Sequence, residues 1–329
     1  MQRTIEWWDR HQLALAIAAI LVGALLGLAA PAVAPVLSSA TNPVLALLLF
    51  ATFLGVPIDG IGRSLRDARF LGTVLLVNFV AVPVLVFVLS RFVADDRGLL
   101  LGVLLVLLTP CVDYVIVFTG LAGGARDRLL AATPLLMMLQ LVLLPGYLWL
   151  FAGADALALL DPGPFLEAFL VIIVMPLIAA ALVQALARRH RVARGFERGL
   201  AGAMTPLLML TLAVVVGSQI AAVGAEAVAL ARLVPIYLGF AAVMVGVGIL
   251  AGRMARLDVP RIRAVVFSGV TRNSLVVLPL ALALPASLGI APLAVVTQTL
   301  VELVCLLVLV RLVPMLVRAR ASGAGGPGP

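Results

Sequence analysis

The sequence contains no lysine, and all 23 of its basic residues are arginine. It has two histidines, two cysteines, 6% aromatic and 12% charged residues in a chain of 329 that is 64% hydrophobic. Each scarcity excludes something. Cys111 and Cys305 both sit in apolar runs and are too few for a disulfide framework. His11 and His190 lie in basic segments, and no HExxH pair, Gly-x-Ser-x-Gly elbow or intramembrane Asp pair occurs, so neither an enzyme nor a cofactor is expected. So little charge, with a mean hydropathy of +1.24, marks an integral membrane protein and leaves no room for a folded domain outside the bilayer. A formal net charge of +8 would suit nucleic acid on a soluble surface, but no such partner is expected here.

What is present is a series of long apolar runs. A spanning helix takes about 20 apolar residues. Charge clusters and Gly/Pro turns divide the chain into ten expected spans at 13–36, 43–58, 70–90, 99–121, 129–152, 165–187, 199–222, 233–252, 264–284 and 291–317. The first run is too long for a signal-peptide core and reads as a retained helix. With the N-terminus placed in the cytoplasm, eighteen arginines fall on the inner side. Only Arg91, Arg97 and Arg232 fall outside, while Arg272 and Arg311 lie within spans. That asymmetry predicts both termini in the cytoplasm of a multi-pass plasma-membrane protein. The Gly/Pro-rich tail, 319–329, is expected to be disordered.

Ten spans divide as five plus five, and an odd number per half gives the halves opposite orientations. The chain is therefore expected to be one all-α transmembrane domain (1–318) built as an inverted repeat, about 13–152 and 165–317, as in secondary transporters. A short echo supports this: Thr41-Asn42-Pro43-Val44-Leu45 and Met204-Thr205-Pro206-Leu207-Leu208 open the second and seventh spans.

Ionisable and polar residues in mid-span are costly, so they locate the candidate site. Thr109-Pro110-Cys111-Val112-Asp113-Tyr114 interrupts the fourth span, and Ser268-Gly269-Val270-Thr271-Arg272-Asn273-Ser274 interrupts the ninth. The tenth carries Thr297-Gln298-Thr299 and Glu302, and the third a lone Asn78. At 1.5 Å per residue, Cys111, Arg272 and Glu302 lie roughly 12–18 Å from a span end. All three are near the middle of a core about 30 Å thick. Spans four and nine occupy equivalent places in the two halves, and paired interruptions of this kind point to a transporter binding site. Thr109, Cys111, Asp113, Arg272, Asn273 and Ser274 are the candidate substrate contacts, and Glu302, with Gln298 and Thr299 one turn away, is the candidate proton-coupling group. Asp113 and Arg272 suit a structural ion pair as well as contact with substrate. Asn78 suits a bond to a neighbouring helix, and Cys305, among apolar neighbours, suits simple filling.

The ten-span layout, the Thr109-Pro110-Cys111 break, the polar break in span nine and Val301-Glu302 in span ten resemble the arsenite efflux permeases of the arsenical resistance family. These are relatives of the bile acid:sodium symporters. The resemblance implies a panel group of helices packed on a core group, with spans four and nine unwound where they cross. It also implies an essential thiol at Cys111 that captures As(III) transiently and a functional carboxylate at Glu302. The substrate expected is arsenite or antimonite, with protons rather than sodium as the coupling ion. The alternative is an organic anion carried by sodium- or proton-coupled symport, its acidic group bound by Arg272. The residues after Cys111 depart from the best-known permeases, and Arg272 puts a fixed positive charge at the crossover. That charge is expected to replace one bound cation and to be held by Asp113.

Overall fold

The computed structural model describes residues 2–55, 67–112, 114–153, 163, 167 and 169–318. The end of the second expected span, the start of the sixth, Asp113 and the 319–329 tail lie outside them.

The regular secondary structure of the described residues is helical, with no strand. In chain order the helices are α1 (Gln2–Ala29), α2 (Ala34–Gly55), α3 (Ala68–Val93), α4 (Arg97–Leu107), α5 (Val115–Leu121), α6 (Arg126–Ala152) and α7 (Phe169–Ala187). There follow α8 (Arg191–Gly202), α9 (Met204–Ala225), α10 (Ala227–Met254), α11 (Val259–Val270), α12 (Ser274–Leu282) and α13 (Ile290–Leu316). Seven of them, α2, α3, α6, α7, α9, α10 and α13, are long and apolar enough to cross a membrane. The apolar part of α1, Ala14–Ala29, and α4 are shorter. Helices are the expected solution, because a bilayer offers no water to an unpaired backbone N–H or C=O.

Prolines set several boundaries differently from the sequence expectation. Pro31 ends α1 early, since its ring excludes the preceding residue from the helical region. Pro43 lies inside α2 instead of opening it. The seventh expected span is preceded by α8, a separate arginine-rich amphipathic helix that packs on α7 and α2. In α3, Pro83 has no N–H to give to the Phe79 carbonyl, and the helix widens into a π turn over Val77–Ala81. The Tyr147 hydroxyl of α6 donates to that carbonyl at 2.6 Å.

Two packing groups result. One holds α1, α2, α7, α8 and α9; the other holds α3–α6 and α10–α13. They meet where α9 lies on α13 and α2 on α12. The first group has a seam of small residues. A Cβ at Gly23 would stand 2.4 Å from the Ala213 carbonyl oxygen, and one at Gly27 only 2.3 Å from that of Gly217. The second group is cross-braced at one end. The Asp67 carboxylate, which also caps α3, lies 3.3 Å from Arg128 and 3.2 Å from Arg261. Arg263 donates to the carbonyls of Val317 (2.9 Å) and Ala122 (2.9 Å). At the opposite end Arg232 grips Asp95 with both nitrogens, at 2.8 and 2.9 Å, and holds that carboxyl below its usual range.

Gly27→Val should therefore drive a side chain into backbone. A large drop in thermal midpoint in detergent is expected, of the order of the 1–3 kcal/mol typical of overpacking. Gly146→Ala, which meets nothing within 4 Å, should leave the midpoint unchanged.

Candidate functional site

The two interruptions meet. After Leu107 the chain leaves the helix through Thr109 and Pro110; after Val270 it does so through Thr271 and Arg272. The segments run antiparallel, paired at Pro110 and Arg272. The Cys111 N–H donates to the Thr271 carbonyl at 3.3 Å, and the Asn273 N–H donates to the Thr109 carbonyl at 2.8 Å. The threonine hydroxyls turn back onto their own helices, Thr109 to Leu105 and Thr271 to Phe267. Asn273 then caps α12 by accepting from the Val276 N–H. Two unwound backbones thus satisfy one another inside an apolar bundle.

Arg272 is fully buried, and its guanidinium turns toward the ends of α4 and α11. It donates to the carbonyls of Leu107 (3.3 Å), Ser268 (2.7 Å) and Gly269 (2.8 Å), and to Asn78 Oδ1 at 2.9 Å. Phe240 lies under it, 5.4 Å from ring centroid to guanidinium carbon. The last carbonyls of a helix have no partner within it and carry partial negative charge, so a cation belongs there. Asn78 reaches this point from the π turn of α3 and donates to Ser268 Oγ at 2.9 Å. Asp113, expected to hold the guanidinium, lies outside the described residues; among those described, four oxygens from α3, α4 and α11 accept from it.

Glu302 lies on the other side of the crossover and is 4% exposed. Its Oε2 accepts from the Arg272 backbone N–H at 2.9 Å and from Gln298 Nε2; its Oε1 accepts from the Tyr114 hydroxyl at 2.8 Å. Gln298 is the partner expected one turn away. Thr299 is not, since its hydroxyl bonds the Val295 carbonyl. The carboxylate thus faces the start of α12, where helix N–H groups favour an anion, while the guanidinium faces helix ends that favour a cation.

Of the predicted site residues, Cys111, Thr109, Arg272, Asn273 and Ser274 are all buried at the crossover, with Glu302 against it. Asn273 Nδ2, Ser274 Oγ, Arg272 Nε and Gln298 Oε1 are buried without a hydrogen-bond partner among the described residues. No group of three His, Cys, Asp or Glu side chains suited to a resident metal occurs among those residues. Cys305, expected as filler, lines a water-sized cavity of about 10 Å³ together with Glu302, Gln298 and Tyr237. A second cavity, about 20 Å³, opens between the two helix groups. Ala16, Leu208 and Leu212 line it from one group, and Tyr114, Phe118 and Leu303 from the other. Sequence reasoning assigned no role to Tyr114, although a phenol in mid-span beside a break carried the signal.

Removing the guanidinium would orphan four buried acceptors, each worth about 1–3 kcal/mol. Arg272→Met should accordingly collapse yield and thermal midpoint, whereas Val80→Ala, at an exposed position, should not.

The model of the sodium bile acid symporter family matches residues 42–227. A search of curated proteins finds no match. The family match covers more than half of the chain, and the chain belongs to this family: it is a multi-pass membrane transporter of a small molecule with ion coupling, not an enzyme. The matched residues include the Thr109–Tyr114 break and stop before Arg272 and Glu302.

Proposed function

Starting from membership of the sodium bile acid symporter family, we propose that the protein exports arsenite, and antimonite with it, across the plasma membrane in exchange for protons. Export of this kind confers arsenic resistance. Ten spans cross the bilayer as two inverted five-span repeats, with breaks at the fourth and ninth and both termini in the cytoplasm. The arginine asymmetry supports this topology. So does the gathering of the Asp67, Arg128 and Arg261 segments at one end of the bundle and of Asp95 and Arg232 at the other.

One observation carries the substrate reading: a thiol, Cys111, is buried at the crossover beside side chains with unsatisfied donors and acceptors. Arsenite at neutral pH is mostly an uncharged trihydroxide with a soft centre that prefers sulfur. The Cys111 thiol displaces one hydroxyl as water, forming an As–S bond, and water reverses the step on release. A single thiol suits release, because two or three would hold the arsenic tightly. Thr109, Asn273, Ser274 and Arg272 are proposed to meet the remaining hydroxyls, with Asp113 beside them, and Glu302 is proposed to carry the coupling proton. Arg272 supports protons over sodium, since a guanidinium fills the cluster of carbonyl and amide oxygens that a cation would use.

A second reading, symport of an organic anion, draws on the apolar walls of the cavity between the groups and on the family's description. The two separate cleanly. On the first reading arsenite protects Cys111 from a thiol reagent and bile salts do not; on the second, bile salts protect and arsenite does not. Cys111→Ser should abolish arsenite resistance in a sensitised host at unchanged protein level, and wild-type growth of that strain would remove the thiol from the mechanism. Glu302→Gln should lose arsenite uptake driven by a pH gradient in everted vesicles.

A further inference from the structure

Tyr114 stands between the buried carboxylate and the cavity that separates the two helix groups. Its hydroxyl is 2.8 Å from Glu302 Oε1 and 3.1 Å from the Arg272 carbonyl oxygen. Its ring forms part of the cavity wall, edge-on to Phe118 at 6.2 Å between centroids. A phenol has one proton to give, and these two acceptors, among the described residues, are both within reach of it. We infer that the Tyr114 hydroxyl is a two-position rotor, a positioning device that reads the protonation of Glu302 and passes it to the crossover and the cavity wall.

With Glu302 ionised, the phenol donates to Oε1 and leaves the Arg272 carbonyl facing an oxygen without a proton. With Glu302 protonated on Oε1, the carboxyl donates to the phenol oxygen, the phenol turns its own proton to the Arg272 carbonyl, and the whole chain is satisfied. No heavy atom needs to move, and the crossover backbone gains or loses a hydrogen bond with each proton. Hydrogen bonds in such a chain polarise one another in a low dielectric, which strengthens the difference between the two states. The Tyr114 ring keeps its tie to the carboxyl group in both states and gains a second tie, to the crossover, when Glu302 is protonated. The ring is thus pinned at two points in one state and can pivot about one in the other, and access along the cavity wall follows the proton.

Among the described residues, the titratable and charged groups facing Glu302 are Tyr114 from the first break, Arg272 from the second, Tyr237 from α10 and Cys305 from its own helix. Among the described residues Arg272 is the charged one, and its guanidinium is turned away and held by Asn78 and the three carbonyls.

This inference rests on the proposed coupling role of Glu302, and the test separates the two without using a transported substrate. Leu212 lines the cavity opposite Tyr114. In Leu212→Cys protein in liposomes, N-ethylmaleimide labelling at position 212 is followed by peptide mass spectrometry across pH. Rates are expressed relative to the denatured protein at each pH. The bond that comes and goes with the proton is the neutral one to the Arg272 carbonyl, worth about 0.5–1.5 kcal/mol, so the relative rate should change about two- to tenfold across the titration. Adding Tyr114→Phe, which keeps the ring, should flatten the profile while size-exclusion behaviour is unchanged, and adding Glu302→Gln should flatten it as well. A wild-type-like profile in Tyr114→Phe with a flat one in Glu302→Gln overturns the rotor alone. A persistent profile in Glu302→Gln overturns the coupling role of that carboxylate, and a flat profile in the parent shows that no proton signal reaches the cavity wall and overturns the rotor.

Discussion

A chain that leaves the helix inside a bilayer must find partners for every backbone N–H and C=O it uncovers. Here that constraint is met by bringing two breaks together, so that the Cys111 N–H and the Thr109 carbonyl pair with Thr271 and Asn273 across an antiparallel crossing. Everything else at the centre of the protein follows from this meeting. It joins α4, α5, α11 and α12 at one place, and it directs two helix C-termini and a capped N-terminus at one point. The buried charges are sorted by those ends. The guanidinium of Arg272 goes to the carbonyls of α4 and α11, and the carboxylate of Glu302 goes to the N–H side of the break before α12.

The sorting depends on a chain of smaller causes. Pro83 deprives the Phe79 carbonyl of its helical partner, Tyr147 supplies a replacement, and the π turn between them turns Asn78 toward the crossover. Asn78 gives the guanidinium a neutral oxygen ligand in addition to carbonyls. A buried arginine solvated in this way resembles a cation held in an oxygen cage, except that it is tethered and cannot leave. Under the proposed reading, the gradient then acts on the buried carboxyl group of Glu302.

The two packing groups are stiffened by different means. In one, backbones approach through Gly23, Gly27, Ala213 and Gly217, where small residues replace the hydrophobic driving force that lipid removes. In the other, arginines bind carbonyls and a shared carboxylate at the bundle end. Between them lie a sparse contact and an apolar cavity. Two stiff bodies with a weak seam can rock about a fixed site.

Much of this was legible in the chain itself. The positions of the seven long apolar helices follow from apolar runs, because the bilayer demands length and hydrophobicity regardless of context. The breaks at 109–113 and 268–274 stand out for the same reason, as polar residues and proline in the wrong solvent. Gln298 beside Glu302 follows from helical spacing alone. What each polar residue bonds does not follow. The Arg272 guanidinium is bound by Asn78 and by three carbonyls to which no spacing points, since which helix end lies within reach of a side chain is set by how α3, α4 and α11 pack. Tyr114 and Asn78 acquired their partners on folding for the same reason: residues far apart in sequence share an environment only after the two breaks have found each other. Local physics determined where the helices form and where they fail, and only the tertiary crossing decided which failed ends meet and which charge each of them receives.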